Sequence, residues 1–144
     1  MTQLSRRALL STVGAVAVSA CTPKEATASE RQYANSPFRR VTDAQWRERL
    51  PRAAYDVLRH EATERPGSSP LNNEHRSGTF VCRGCDLPLF RSQWKFDSGT
   101  GWPSFGQPIE GAVGSTVDRS FFMTRTEIHC ANCDAHLGHV FDDG

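Results

Sequence analysis

Cys82-Arg83-Gly84-Cys85 and Cys130-Ala131-Asn132-Cys133 are two pairs of identical spacing, with 44 residues between them. A Cys-x-x-Cys turn lets two thiolates point at a common centre. Two such turns supply four soft ligands, the donor set of a tetrahedral zinc or iron–sulfur site, and a closed structural site favours zinc. Turn-forming residues surround each pair: Gly84 and Asp86 at the first, Asn132 and Asp134 at the second. Two disulfides are the alternative that an exported protein permits. A redox Cys-x-x-Cys is a third reading, weakened because two pairs occur together and no βαβ pattern surrounds either.

The composition around these turns is that of a loop-rich, mainly β domain. The chain has 144 residues, 38% of them hydrophobic, with eleven glycines and eight prolines. That is enough for one domain with a modest core. Its formal net charge is +1, and no stripe of Lys or Arg marks a nucleic-acid surface.

Downstream of Gly78 the pattern is one of short strands. Thr79-Phe80-Val81 leads into the first cysteine turn and Leu87-Pro88-Leu89-Phe90 leaves it. Trp94-Lys95-Phe96 runs into the tight loop Ser98-Gly99-Thr100-Gly101, and Phe105 closes that segment. Ile109 to Val117 reads as hairpin material. Ser120-Phe121-Phe122-Met123-Thr124 and Thr126-Glu127-Ile128-His129 read as strands, and Ala135 to Phe141 follows the second turn. Phe121, Phe122 and Phe141 are most simply core.

Upstream, the pattern is helical. Thr42-x-x-Gln45 is a capping box ahead of Trp46 and Leu50. Pro51 suits the first turn of a second helix that runs to about Ala62, with Tyr55 and Leu58 on one face. Arg65-Pro66-Gly67-Ser68-Ser69-Pro70 stops it. Residues 42–144 are therefore one domain.

Residues 1–20 read as an export signal. Arg6 and Arg7 precede thirteen small or apolar residues, Ala8 to Ala20, too short a run to span a bilayer comfortably. Ser5-Arg6-Arg7-Ala8-Leu9-Leu10 resembles a twin-arginine signal, and Val18-Ser19-Ala20-Cys21 resembles a lipoprotein box. These imply a lipid anchor at Cys21 and a periplasmic or periplasm-facing location. A cut after Ala26-Thr27-Ala28 and an uncleaved membrane anchor are the alternatives. Twin-arginine export carries folded proteins, so the thiolates would be metal-bound before meeting an oxidising compartment. Polar residues 21–41 read as a flexible tether.

Several longer motifs occur in order: Lys95-Phe96-Asp97-Ser98-Gly99-Thr100-Gly101-Trp102-Pro103-Ser104-Phe105, the two cysteine turns, and His136-Leu137-Gly138-His139-Val140-Phe141-Asp142-Asp143-Gly144. With Thr63 to Leu71, they strongly resemble the methionine-R-sulfoxide reductase B family. The resemblance covers residues 42–144. It implies two small antiparallel sheets with short N-terminal helices, and a four-cysteine zinc that pins loops away from the active site. It implies reduction of methionine-R-sulfoxide in oxidised proteins through a thiol and sulfenic acid, with a thioredoxin-like reductant. Trp102 and Phe105 then take the substrate-binding role, and His136, His139 and Asp143 the catalytic polar network. Without the resemblance, Trp102 reads as core, and the two histidines as structural or as a metal pair. His129, next to Cys130, is a weak candidate to replace a cysteine ligand, and His60 and His75 carry no signal.

Two departures follow. The family's nucleophilic cysteine lies beyond the His-Leu-Gly-His-Val-Phe run, in an Arg-x-Cys-x-Asn setting that is expected past Gly144. The 144 residues alone are therefore expected to have little reductase activity, an open sheet edge and marginal stability. Thr100 stands where some members place a resolving cysteine, so a further cysteine or a direct reductant must recycle the enzyme. A zinc-pinned β domain that binds a ligand without catalysis is the alternative function, and a purely structural zinc domain is a third.

Overall fold

The structure is a computed structural model that describes residues 27–119 and 122–142. Three short α-helices come first: α1 (Ala28–Gln32), α2 (Asp43–Arg49) and α3 (Arg52–His60). Seven strands follow: β1 (Thr79–Val81), β2 (Pro88–Arg91), β3 (Lys95–Phe96), β4 (Ser104–Phe105), β5 (Val113–Asp118), β6 (Arg125–Cys130) and β7 (His136–Val140). β1 pairs with β2, β3 with β4, and β5-β6-β7 form a three-stranded sheet, all antiparallel. The mainly β class with N-terminal helices is as read from the sequence, although the described strands fall into three groups, not two. No helix among the described residues is long and apolar enough to cross a membrane.

The capping box forms in both directions. Gln45 N donates to Thr42 Oγ1 at 3.3 Å and Thr42 N to Gln45 Oε1 at 2.9 Å, a device worth about 1 kcal/mol. It starts α2 so that Trp46 turns inward. α3 ends at His60, two residues short of the expected Ala62, because Glu61 takes the left-handed conformation (φ 55°) and Ala62 N bonds back to Asp56 O at 3.1 Å. Trp46, Tyr55 and Leu58 pack with Leu89, Ala112, Ala135 and the cysteines into one core. The core thus lies between the helices and the cysteine turns.

The tether ends earlier than the sequence suggests. Residues 27–41 carry α1 and a 3₁₀ turn over Pro37–Arg40. Thr27 caps α1 through a reciprocal box with Glu30. Phe38 stacks on Trp46 with centroids 6.3 Å apart. Hydrophobicity alone understates this segment, because its docking rests on one aromatic ring, one buried carboxylate and the Arg39 guanidinium. The export signal, the lipoprotein box and Cys21 lie outside the described residues.

The strand expected over 120–124 is also corrected. Ser120 and Phe121 lie outside the described residues, and Phe122 to Thr124 precede β6 as a turn in which Phe122 has φ 60°. Phe122 and Phe141 are exposed, not core.

Candidate functional site: a four-cysteine cage and a polar sheet face

The two cysteine turns are built alike. Asp86 N bonds to Cys82 O and Asp134 N to Cys130 O, each at 2.9 Å. Cys82 N bonds to Leu87 O at 2.8 Å and Cys130 N to Ala135 O at 2.9 Å. Asp86 and Asp134 close the turns with φ of 58° and 63°, a left-handed conformation that Asp tolerates better than most residues. The turns are held by the helical layer. Arg59 Nη1 donates to Cys133 O at 3.1 Å, and Arg39 Nη2 donates to Ala131 O.

The four sulfurs converge. Cys82 Sγ lies 3.6 Å from Cys133 Sγ, and Cys85 Sγ 3.6 Å from Cys130 Sγ. All four lie within 4.8 Å of one another, and all are free thiols. Four thiolates at about 2.3 Å from a tetrahedral ion sit roughly 3.8 Å apart, so the cage fits such an ion. Without a cation the four cannot all ionise. Hydrogen bonding with Cys130 pulls Cys85 down and Cys133 lowers Cys130, while bonding to Cys130 drives Cys82 and Cys133 up. A bound cation removes that conflict.

The second feature is one face of the β5-β6-β7 sheet. Thr116 pairs with Glu127, Asp118 with Arg125 and Gly114 with His129. Side chains two apart on a strand share a face, so Asp118, Arg125, Glu127 and His129 lie together. His136 and His139 are three apart on β7 and in a regular strand would face opposite ways. A bulge prevents this: Gly138 pairs with Ile128 and His136 with His129, leaving Leu137 as an extra residue. Both imidazoles therefore join the polar face, edge to face, with centroids 5.4 Å apart.

Each imidazole has its own carboxylate. His136 Nδ1 lies 2.7 Å from Glu127 Oε1, and His139 Nε2 lies 3.0 Å from Asp118 Oδ2. Arg125 Nη2 donates to the same Asp118 oxygen at 2.6 Å. A cavity of about 240 Å³ opens beside them, lined by Arg59, Glu61, Thr116, Glu127, His129 and His136 among others.

His129 is not a ligand of the cage. Its Nε2 lies 2.9 Å from Glu30 Oε1, and both residues are buried. Asp134 is 3.6 Å from the same nitrogen. These three could also gather round a cation. Glu30 and His129 already bond to one another, however, and Arg39 lies 3.6 Å from Asp134. Burial pushes the Glu30 carboxyl up, but the Thr27 N–H and hydroxyl and then His129 outweigh it and hold the group at about 2. Gly114 makes room: a Cβ there would stand 2.4 Å from His129 Nε2.

Trp102 occupies a separate loop. Its indole N–H donates to Glu64 O at 2.8 Å and the side chain is partly exposed. Gly67 N and Asn72 Nδ2 both donate to Gly101 O, at 2.7 Å and 2.9 Å. Gly101 has φ 91°, and a Cβ there would meet Gly67 N at 2.9 Å, so only glycine fits. Thr100 Oγ1 is 2.7 Å from Ser98 Oγ. Phe105 stacks on Phe90 at 4.4 Å and meets Phe80 edge-on at 4.9 Å, and its ring is half-buried. Asp143 lies outside the described residues. The structure thus unites His136 and His139, and holds Trp102 through the 61–69 loop instead of through the histidines. Asp118, Arg125 and Glu127 were not foreseen, although the alternation Arg125-x-Glu127-x-His129 signals a charged strand face.

A small mainly β domain with a four-cysteine cage and paired histidines defines the class. Residues 50–144 match the SelR domain family. The peptide methionine sulfoxide reductase MsrB of Bradyrhizobium diazoefficiens is 54% identical over 104 residues, 72% of this chain and 75% of that protein. The MsrB of Pseudomonas entomophila is 56% identical over 101 residues, 69% of this chain and 77% of that protein. The chloroplastic peptide methionine sulfoxide reductase B1 of rice is 52% identical over 105 residues, 72% of this chain and 49% of that protein. The chain belongs to the MsrB family.

Proposed function

We propose that this protein is a peptide-methionine (R)-S-oxide reductase that repairs oxidised methionine in proteins. The observation that carries the reading is the pair His136 and His139, brought to one sheet face by the bulge and each backed by a carboxylate. Its chemistry needs a thiolate that attacks the sulfoxide sulfur. The S–O bond breaks, the oxygen ends on the cysteine as a sulfenic acid, and methionine leaves reduced. Imidazoles at the oxygen supply and return the proton. Trp102 offers an apolar face to the methyl group. Two thiols of an external, thioredoxin-like dithiol then reduce the sulfenic acid, releasing water and forming a disulfide.

Four of the five cysteines belong to the cage, and the fifth is Cys21 in the leader. The attacking thiol is therefore expected from the Arg-x-Cys-x-Asn segment that the resemblance sets past Gly144. The test is turnover of R- and S-sulfoxide substrates with dithiothreitol, by the 144 residues and by the product of the gene read past the Gly144 codon. The expected result is R-selective turnover only where that cysteine is present. Binding without turnover in the longer product would sink the enzyme reading.

Zinc is the ion we assign to Cys82, Cys85, Cys130 and Cys133, on ligand chemistry and sulfur spacing. Its role is structural, since a thiolate held by metal is unavailable for attack. One equivalent of zinc in the purified protein is expected; four oxidised cysteines without zinc would exclude it. Export with lipidation of Cys21 rests on the leader motifs alone. An intact mass showing unmodified Cys21 still joined to Ala20 would remove it.

A further inference from the structure

We propose that Glu127 and Asp118 are positioning residues that lock His136 and His139 in opposite tautomers, leaving His136 Nε2 and His139 Nδ1 as the atoms each ring offers to a ligand. The reading of these rings as proton donors rests on the reductase function; the tautomers do not.

An ionised carboxylate only accepts hydrogen bonds, so the ring nitrogen facing it must carry the proton. Glu127 Oε1 faces His136 Nδ1 at 2.7 Å, whereas Asp118 Oδ2 faces His139 Nε2 at 3.0 Å. Neutral His136 is thus the Nδ1–H form and neutral His139 the Nε2–H form. Asp118 is kept an acceptor by Arg125, which donates to the same oxygen at 2.6 Å.

The strand register explains why two carboxylates are needed. Glu127 is the direct cross-strand partner of His139, yet its carboxylate reaches diagonally to His136. The bulge has moved His136 into range and set the two rings edge to face. His139 is then served from one strand further away, by Asp118 on β5. Each ring is fixed at one nitrogen by a side chain of a different strand, and the other nitrogen is turned away from that anchor. With the proton of each neutral ring held at its carboxylate, both offered nitrogens carry lone pairs. A ring that takes up a proton there becomes an imidazolium that can give it to the departing oxygen, while the other ring's lone pair orders water.

The histidine tautomers of the zinc-loaded 144-residue chain can be read directly from ¹⁵N chemical shifts at a pH where both rings are neutral. The expected spectrum shows His136 as Nδ1–H and His139 as Nε2–H. Two rings of the same tautomer would overturn the proposal without any variant being made. In Glu127→Ala, His136 is expected to lose the Nδ1–H form while His139 is unchanged. An unchanged His136 tautomer in a folded Glu127→Ala protein would also overturn it. In the longer, active product the same variant is expected to lower kcat by about tenfold to a hundredfold with KM little altered. An unchanged kcat there would remove the positioning role and leave the tautomers standing. Absence of turnover in the unsubstituted product would instead count against the reductase reading, since the ¹⁵N experiment needs no turnover.

Discussion

Glu30 Oε1 lies 2.9 Å from His129 Nε2, across 99 residues of chain, and both side chains are almost wholly withdrawn from water. This contact fastens α1, outside the 50–144 region that matches the family, to the sheet that carries the histidine pair.

The pair predicts a defined acid sensitivity. The Glu30 carboxyl is held at about 2 against its ordinary 4.5. A depressed carboxyl stabilises the fold above its unfolded value, and that stability is lost as pH falls through the folded value. Loss is therefore expected between about pH 4.5 and pH 2. Glu30→Gln should cost about 2–3 kcal/mol at neutral pH, because it leaves His129 buried without its carboxylate. It should also flatten the stability curve across that window. Urea denaturation of both proteins over a pH series measures this, and parallel curves would refute it.

The cage predicts metal-dependent folding. Cys82, Cys130 and Cys133 are core residues as well as members of the cage, so losing an ion from the cage would open the centre of the domain. Cys130→Ser should lower the thermal midpoint by more than about 10 °C, since losing one thiolate forfeits much of a structural ion's folding energy. A strong chelator should do the same to the unsubstituted protein. A midpoint indifferent to both would show that the sulfurs pack without an ion.

The features legible in the sequence are those whose physics is local. The Thr42–Gln45 box and the paired cysteine turns each depend on residues within a few positions, and both form as read. The docking of Glu30 on His129 depends on a contact that no window of sequence contains. The bulge at Leu137 misleads in a different way. A spacing of three on a strand reads as opposite faces, and only an extra residue with no mark of its own brings His136 and His139 together. Trp102 and the histidines stood out through their motif, not through pattern. Glu127 and Asp118 were passed over because a charged residue on a short strand normally faces solvent. Phe122 and Phe141 were misplaced by the converse rule, since an aromatic residue normally does not.

Arg59 illustrates how unequal two charged residues of one helix can be. Its guanidinium caps Cys133 O at 3.1 Å and lies 5.4 Å from the Trp46 ring centroid. Arg59→Ala removes a charge-assisted hydrogen bond and a cation–π contact together, for about 1–3 kcal/mol. Arg52, nearly two helix turns away, pairs with Asp56 at 2.8 Å in an exposed i,i+4 bridge. Arg52→Ala should cost only about 0.5 kcal/mol. Equal losses in urea denaturation would contradict the assignment of Arg59 to the cysteine turn.

Gly101 governs where Trp102 stands. Its carbonyl receives both Gly67 N and Asn72 Nδ2, and its φ of 91° leaves a Cβ only 2.9 Å from Gly67 N. Gly101→Ala must therefore push the 98–103 loop off the 64–67 segment or strain the backbone, at about 1–3 kcal/mol. Either response breaks the bond from the Trp102 indole to Glu64 O, 2.8 Å long in the native chain. The indole N–H resonance of Trp102 should shift and exchange faster with solvent, while those of Trp46 and Trp94 stay in place. In the active product, KM for the sulfoxide should rise before stability is exhausted. Asn72→Ala, which removes one of the two donors without adding bulk, should move the same resonance by less. A Trp102 resonance unmoved in Gly101→Ala would mean that the loop is not positioned by this carbonyl.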